Sequence, residues 1–198
     1  MKKGILFILL VGIIIIPVKA QRNYPKGIYL NLNELNLMKP SADYDIIVEE
    51  RTKGDIVMYG GNDYKLTSYD NSIKKRYLKK EVFAYSDGKN LFLNCFPLKL
   101  YSGYTKILND GNKYFIFKAS ISQDQDLSYM FGGVGGAMQA TKRYLYAYDK
   151  ATKTVIPITT NTLKKLLKNN QNLLDDYLSE QNKENEEIQL KYLIMLNR

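Results

Sequence analysis

At Thr160 the hydrophobic period of this chain changes, and that change limits the folds open to it more than any other feature. Between Tyr24 and Ile158, short β-branched and aromatic runs are separated by Gly, Asn and Asp, the pattern of antiparallel strands joined by turns. From Thr160 the apolar residues fall at helical spacing instead: Leu163, Leu166 and Leu167, then Leu173, Leu174, Tyr177 and Leu178, then Ile188, Tyr192 and Met195. Strands followed by helices mean an α+β fold. The expected architecture is an antiparallel β-sheet or partial barrel, a meander of hairpins, with two or three C-terminal α-helices over an open face or end. Asn169 and Asn170 divide the first of these helices from the second. Glu184, Glu186 and Glu187 load the first turn of the last, where they suit its dipole.

The clearest hairpin runs from Lys80 to Cys95. A two-residue turn at Asp87 and Gly88 sets Ser86 opposite Lys89, Ala84 opposite Leu91, Phe83 opposite Phe92 and Val82 opposite Leu93. One face then carries Val82, Ala84, Leu91 and Leu93, and the other Phe83, Tyr85 and Phe92 with Glu81 and Asn94. A second hairpin turns at Asp110 and Gly111, and a third joins Tyr144–Tyr148 to Thr154–Ile158, where Pro157 marks an edge strand. Further strands are predicted at Tyr44–Glu50, Ile56–Tyr59 and Tyr64–Ser68. A short helix is predicted at Asn31–Leu37, with Asn31 as cap and Glu34 three residues on.

Ahead of this region Lys2 and Lys3 precede an apolar stretch from Gly4 to Val18, followed by Lys19 and Ala20. That order is a secretory signal peptide, with Val18 and Ala20 as the small residues of the cut. As a helix the stretch reaches only about 22 Å, short of a hydrocarbon core of about 30 Å, which disfavours a permanent membrane span. Residues 1–20 are thus read as a leader and 21–198 as one α+β domain, β-rich over 21–159 and helical over 160–198. Losing the leader removes Lys2, Lys3 and Lys19 and no acid, so the formal charge of +9 falls by three and the mature chain stays basic. A lipid anchor at the cut needs a cysteine there, and the only one, Cys95, lies in an apolar run that suggests burial.

Composition narrows the chemistry. With no His and one Cys, the chain cannot build a Ser-His-Asp or Cys-His centre or a four-cysteine zinc cage, and neither cofactor nor metal site is expected. Paired carboxylates are the acid-base apparatus left: Asp43 with Asp45, and Asp124 with Asp126, share a face if extended, although surface turns explain all four.

Three features are candidates for binding. Residues 74–80 place five cations in seven positions, Lys74, Lys75, Arg76, Lys79 and Lys80, which either attract an anionic envelope polymer or lipid head group or keep a solvated strand or turn from edge pairing. Tyr144, Tyr146 and Tyr148 share one strand face with polar tips outward. They either stack sugars or fill a protein interface, or lie under the terminal helices. Gly132, Gly136 and Ala140 lie four apart in a glycine-rich stretch whose neighbours Met130 and Phe131 suit docking to a partner or membrane. A loop is the plainer reading, because glycine opposes helix by about 1 kcal/mol each.

The run Lys80-Glu-Val-Phe-Ala-Tyr-Ser-Asp-Gly-Lys-Asn-Leu-Phe-Leu-Asn94 and the segment Gly111-Asn-Lys-Tyr-Phe-Ile-Phe117 resemble a family of uncharacterised exported proteins from Bacteroides-type Gram-negative bacteria, a domain of unknown function. Pro25-Lys-Gly-Ile-Tyr29 and Leu190-Lys-Tyr-Leu-Ile-Met-Leu-Asn197 are similar too. The resemblance implies the periplasm or cell surface and a compact β-rich fold; it brings no activity and no site residue. The function expected is a noncatalytic cell-envelope protein recognising an anionic glycan, a lipid surface or a protein partner, with nucleic acid not expected for an exported chain. The alternative is a carboxylate-dependent hydrolase acting on polysaccharide.

Overall fold

The computed structural model describes residues 22–121 and 140–198. The expected leader, the pair Asp124 and Asp126, and the docking set Met130, Phe131, Gly132 and Gly136 lie outside them. In chain order come β1 (Gly27–Tyr29), α1 (Leu32–Asn36), β2 (Ile46–Glu50), α2 (Lys53–Tyr59), β3 (Tyr64–Ser68), α3 (Lys75–Lys80), β4 (Ala84–Ser86), β5 (Leu91–Asn94), β6 (Tyr104–Asp110), β7 (Tyr114–Ala119), β8 (Tyr144–Asp149), β9 (Thr154–Pro157), α4 (Thr160–Leu167), α5 (Gln171–Ser179) and α6 (Glu186–Leu196). The fold is α+β, as the change of period at Thr160 requires.

The strands make one open antiparallel sheet in the order β1-β4-β5-β6-β7-β8-β9, a meander from β4 onward. It forks at β6, where Tyr104 pairs with Tyr64 of β3, which carries β2 beyond it, while Ile107–Asp110 pair with β7 through a bulge. Phe83, just ahead of β4, lies 5.7 Å from Tyr148 of β8 between ring centroids. On a flat sheet four strand spacings of about 4.8 Å would separate them. The sheet therefore curls until its two ends share one core.

That inner core holds Tyr29, Leu35, Leu91, Leu93, Phe115, Phe117 and Tyr146, and burying each such side chain is worth about 1.5–3 kcal/mol. The outer face is covered twice. Over β7 and β8, α4–α6 pack Leu163, Leu167, Tyr177 and Leu193 against Ile116, Leu145 and Ala147. Over β4 and β5, the β2–β3 ladder and α3 pack Ile46, Leu66 and Leu78 against Tyr85, Phe92 and Tyr104.

Four expectations are corrected. The strand expected at Ile56–Tyr59 is helix α2, because Thr52 and Asp55 form a capping box: the Thr52 hydroxyl accepts from the Asp55 amide at 3.1 Å and the Asp55 carboxylate from the Thr52 amide at 3.0 Å. In the β4–β5 hairpin Ser86 faces Leu91, Tyr85 faces Phe92 and Ala84 faces Leu93, two residues from the expected register. The Asp87 carboxylate accepts from the amides of Lys89 (2.7 Å) and Asn90 (2.6 Å) and so closes a four-residue turn. A slip of two keeps alternation intact, so residues 84–86 and 91–93 still sort to the expected faces. The basic run is neither strand nor turn but helix α3. Finally, Tyr144, Tyr146 and Tyr148 are buried and point to the inner core, while the terminal helices cover the opposite face of β8.

Two polar clasps hold the chain ends. At the start, the fully buried Asp110 side chain accepts from the Tyr24 hydroxyl at 2.6 Å and pairs with the Lys150 ammonium, which also donates to the Gly111 carbonyl at 2.7 Å. At the finish, the Asn197 side chain accepts from the Tyr114 amide at 2.7 Å and donates to the Tyr114 carbonyl at 2.9 Å. Gly111 permits that approach, since a Cβ there would sit 2.1 Å from the Asn197 carbonyl oxygen.

Candidate functional site

The first turn of helix α3 forms against its local electrostatics, while Lys79 and Lys80 in the last turn suit the dipole. Lys74 occupies the N-cap without a side-chain hydrogen bond, and the first turn holds no acid. Lys74, Lys75 and Arg76 crowd the positive end of the helix dipole, and the pairs Lys75/Lys79 and Arg76/Lys80 place like charges one turn apart, each unfavourable by a few tenths of a kcal/mol. All five cations are exposed, and none takes an ion-pair partner among the described residues.

The far end of the helix is what secures it. Asn94, fully buried on β5, donates to the carbonyls of Lys79 (2.9 Å) and Val82 (2.7 Å) and accepts from the Phe96 amide at 3.1 Å. The Tyr104 hydroxyl, one strand over, donates to the Leu78 carbonyl, and Leu78 itself is the helix's buried anchor. Replacing Asn94 by alanine is expected to lower stability by about 1–3 kcal/mol, since it strands buried carbonyls. Hydrogen exchange should quicken first at the amides of residues 78–82; uniform acceleration across the sheet would show that α3 has no separate hold.

Between α3, the β2–β3 ladder and α2 lies an open cleft of about 490 Å³. Its walls are Leu66, Leu78 and Tyr104; its rim carries Glu49, Glu50, Tyr59, Lys65, Lys75 and Lys79. Arg51 braces one end by donating to the Gly60 carbonyl at 2.7 Å and the Asp55 carbonyl at 3.1 Å, which fixes α2 on the edge of β2. The outer side of α2 exposes Val57, Met58 and Tyr59, the last at 72%. Among the described residues Glu50, Lys75 and the Tyr59 hydroxyl have no hydrogen-bond or ion-pair partner.

Two acids lining the cleft, Glu49 and Asp55, are held ionised. The Thr67 hydroxyl donates to Glu49 at 2.7 Å and Lys65 sits 3.4 Å away, which keeps this carboxyl below the usual range. Thr52 does the same to Asp55 through its hydroxyl and amide. Such groups accept hydrogen bonds well and deliver protons poorly.

Of the residues singled out from the sequence, the structure gathers Lys75 and Lys79 into the cleft and places Lys74 on the other flank of α3, while Arg76 and Lys80 line neither hollow and the Lys79 and Lys80 ammoniums lie over the Phe96 ring, 5.0 and 5.9 Å from its centroid. The tyrosines of β8 are elsewhere, inside the core. The sequence reading missed Tyr59, Tyr64 and Glu50, and the capping box Thr52-Lys-Gly-Asp55 was the signal that α2, and so Tyr59, is helical. Among the described residues no group of His, Cys, Asp and Glu has the makings of a metal site, and no helix is long and apolar enough to cross a membrane.

No curated protein and no solved structure matches the chain. Residues 27–198, which take in the cleft, α3 and the whole sheet, match a family described as a family of unknown function (DUF6563), and the chain belongs to that family.

Proposed function

We propose that the protein is a noncatalytic module of the cell envelope, in the periplasm or at the surface of a Gram-negative bacterium, that binds an anionic glycan across α3 and the adjoining cleft. The observation that carries this reading is the set of five exposed cations, four on the six-residue helix α3 and one at its N-cap, that form no ion pair among the described residues, three of them crowding the end of the helix that disfavours them. Charges retained against local preference are where function overrides folding. A glycan suits the cleft because the exposed Tyr59 ring offers a stacking face, Glu49 and Glu50 offer acceptors for sugar hydroxyls, and Lys75 and Lys79 offer partners for carboxylate or sulfate. The leader pattern at Lys2–Ala20 supports export.

The test is titration calorimetry of the purified protein with oligogalacturonides and with neutral cello-oligosaccharides at low and moderate salt. Acidic oligomers should bind, with affinity that falls as salt rises, and neutral ones should not. Lys75→Glu with Lys79→Glu should weaken binding roughly 30-fold, about 2 kcal/mol for two exposed charge reversals. Unchanged affinity in that double variant rejects the site. Binding to phosphatidylglycerol vesicles and to no oligosaccharide would assign the patch to lipid instead. Mass spectrometry of native material should find the chain starting at Gln21; retention of Met1 rejects the export part.

A further inference from the structure

On the other flank of α3 lies a second, smaller depression of about 240 Å³, walled by Tyr44, Ser72, Ile73, Lys74 and Tyr77. Ile73 gives it a partly apolar floor, and four polar tips surround that floor: three hydroxyls and the Lys74 ammonium. None of the four donates to a partner among the described residues. Solvent-facing donors and a cation around a small hollow are the makings of a site for one anionic group with its sugar ring. Burial, with Tyr44, Glu81 and Glu34 nearby, raises the Tyr77 hydroxyl above its ordinary value and keeps it able to donate.

The helix turns residues into this arrangement by its period. At 3.6 residues per turn, Leu78 points to the core, Lys75 and Lys79 line the cleft, and Tyr77, with the preceding Lys74, lines the second depression. Arg76 and Lys80 are left on the crest between them. The five cations thus form one band that runs from the cleft, over the crest, into the smaller hollow.

We infer that the depression at Tyr44, Lys74 and Tyr77 is a second subsite for the same acidic glycan, taking one carboxylate- or sulfate-bearing sugar of a chain that straddles α3 from the cleft. This rests on the reading of the cleft as a glycan site. A ligand must span the width of a helix with its side chains, about 10–12 Å, to reach both, so affinity depends on chain length. Once one end is seated, the second contact is made at high effective concentration.

The experiment is a length ladder of oligogalacturonides titrated into the wild type and the Tyr44→Ala, Lys74→Ala and Lys75→Ala variants. In the wild type, affinity should step up about ten-fold or more at the length that crosses α3, beyond the smooth gain from added charge. Tyr44→Ala, which changes no charge, and Lys74→Ala should both remove the step and leave the shortest binding oligomers unaffected. Lys75→Ala should weaken every length. A smooth dependence on length, or a Tyr44→Ala variant that keeps the step, overturns the second subsite while the cleft reading stands. A Lys74→Ala variant that weakens all lengths alike also overturns it, because that lysine then acts only as distant charge. Failure of every length to bind the wild type overturns both.

Discussion

Replacing Asp110 by alanine should cost about 3–5 kcal/mol, read as a lower urea midpoint at unchanged slope. The side chain is wholly buried at the end of β6 and takes the Tyr24 hydroxyl and the Lys150 ammonium at once. Without it the ammonium keeps only the Gly111 carbonyl and the face of Phe115, 4.1 Å from the ring centroid, and the tyrosine hydroxyl loses its acceptor. Burial already lowers the Lys150 pKa, against the pull of Asp110. Removing the carboxylate lowers it further. A base with a depressed folded pKa binds fewer protons than the unfolded chain between that value and its ordinary value of about 10.4. The variant should therefore regain stability as pH rises through that window. Adding Lys150→Met should recover a large part of the loss, because the uncompensated charge is gone. Additive losses in the double variant would show that the two residues stabilise the fold independently.

Asp110 also shows what a sequence conveys and what it withholds. Its place in an Asp-Gly pair announces a turn, and a turn is there, with Gly111 needed for the approach of Asn197. Nothing in the local pattern says that its carboxylate is buried, because the partners lie 86 and 40 residues away. The same limit applies elsewhere. Alternation sorted residues 84–86 and 91–93 onto their faces even though the register was off by two, since parity survives an even slip. It could not say which face the helices would cover, so Tyr146 and its neighbours read as a possible binding ladder when curling of the sheet puts them inside. The basic run was visible as charge. Its helical form was not, because the caps that allow it, Asn94 and Tyr104, come from two strands further along the chain. The cleft was the least legible part: its walls come from six separate stretches, and only the fork of the sheet at Tyr64 and Tyr104 brings them together.

Raising the pH from about 9 to 11 should remove roughly 4 kcal/mol of stability through two groups alone. Burial pushes the Cys95 thiol and the Tyr104 hydroxyl far above their ordinary values of about 8.5 and 10. For each, the folded protein keeps its proton after the unfolded chain has lost it. The stabilisation is therefore complete below the unfolded pKa and falls by about 1.4 kcal/mol per pH unit above it. Burial also raises Tyr24, where Asp110 adds to it, and holds Tyr85 up at about 12. These steepen the loss above pH 10 in the same direction. Denaturant midpoints should fall across this range, and the share of tyrosinate absorbance that Tyr104→Phe removes should arrive with unfolding rather than before it. Cys95→Ala should remove the part of the decline that starts near the ordinary thiol pKa, and Tyr104→Phe the part near pH 10, over a constant loss from its missing hydrogen bond. A flat stability profile, or Cys95→Ala and Tyr104→Phe variants that decline with pH just as the wild type does, would rule this out. Because the Tyr104 hydroxyl holds the Leu78 carbonyl of α3, its ionisation also releases the helix that bears the cations. Loss of acidic-oligomer binding should then track the loss of fold above pH 10.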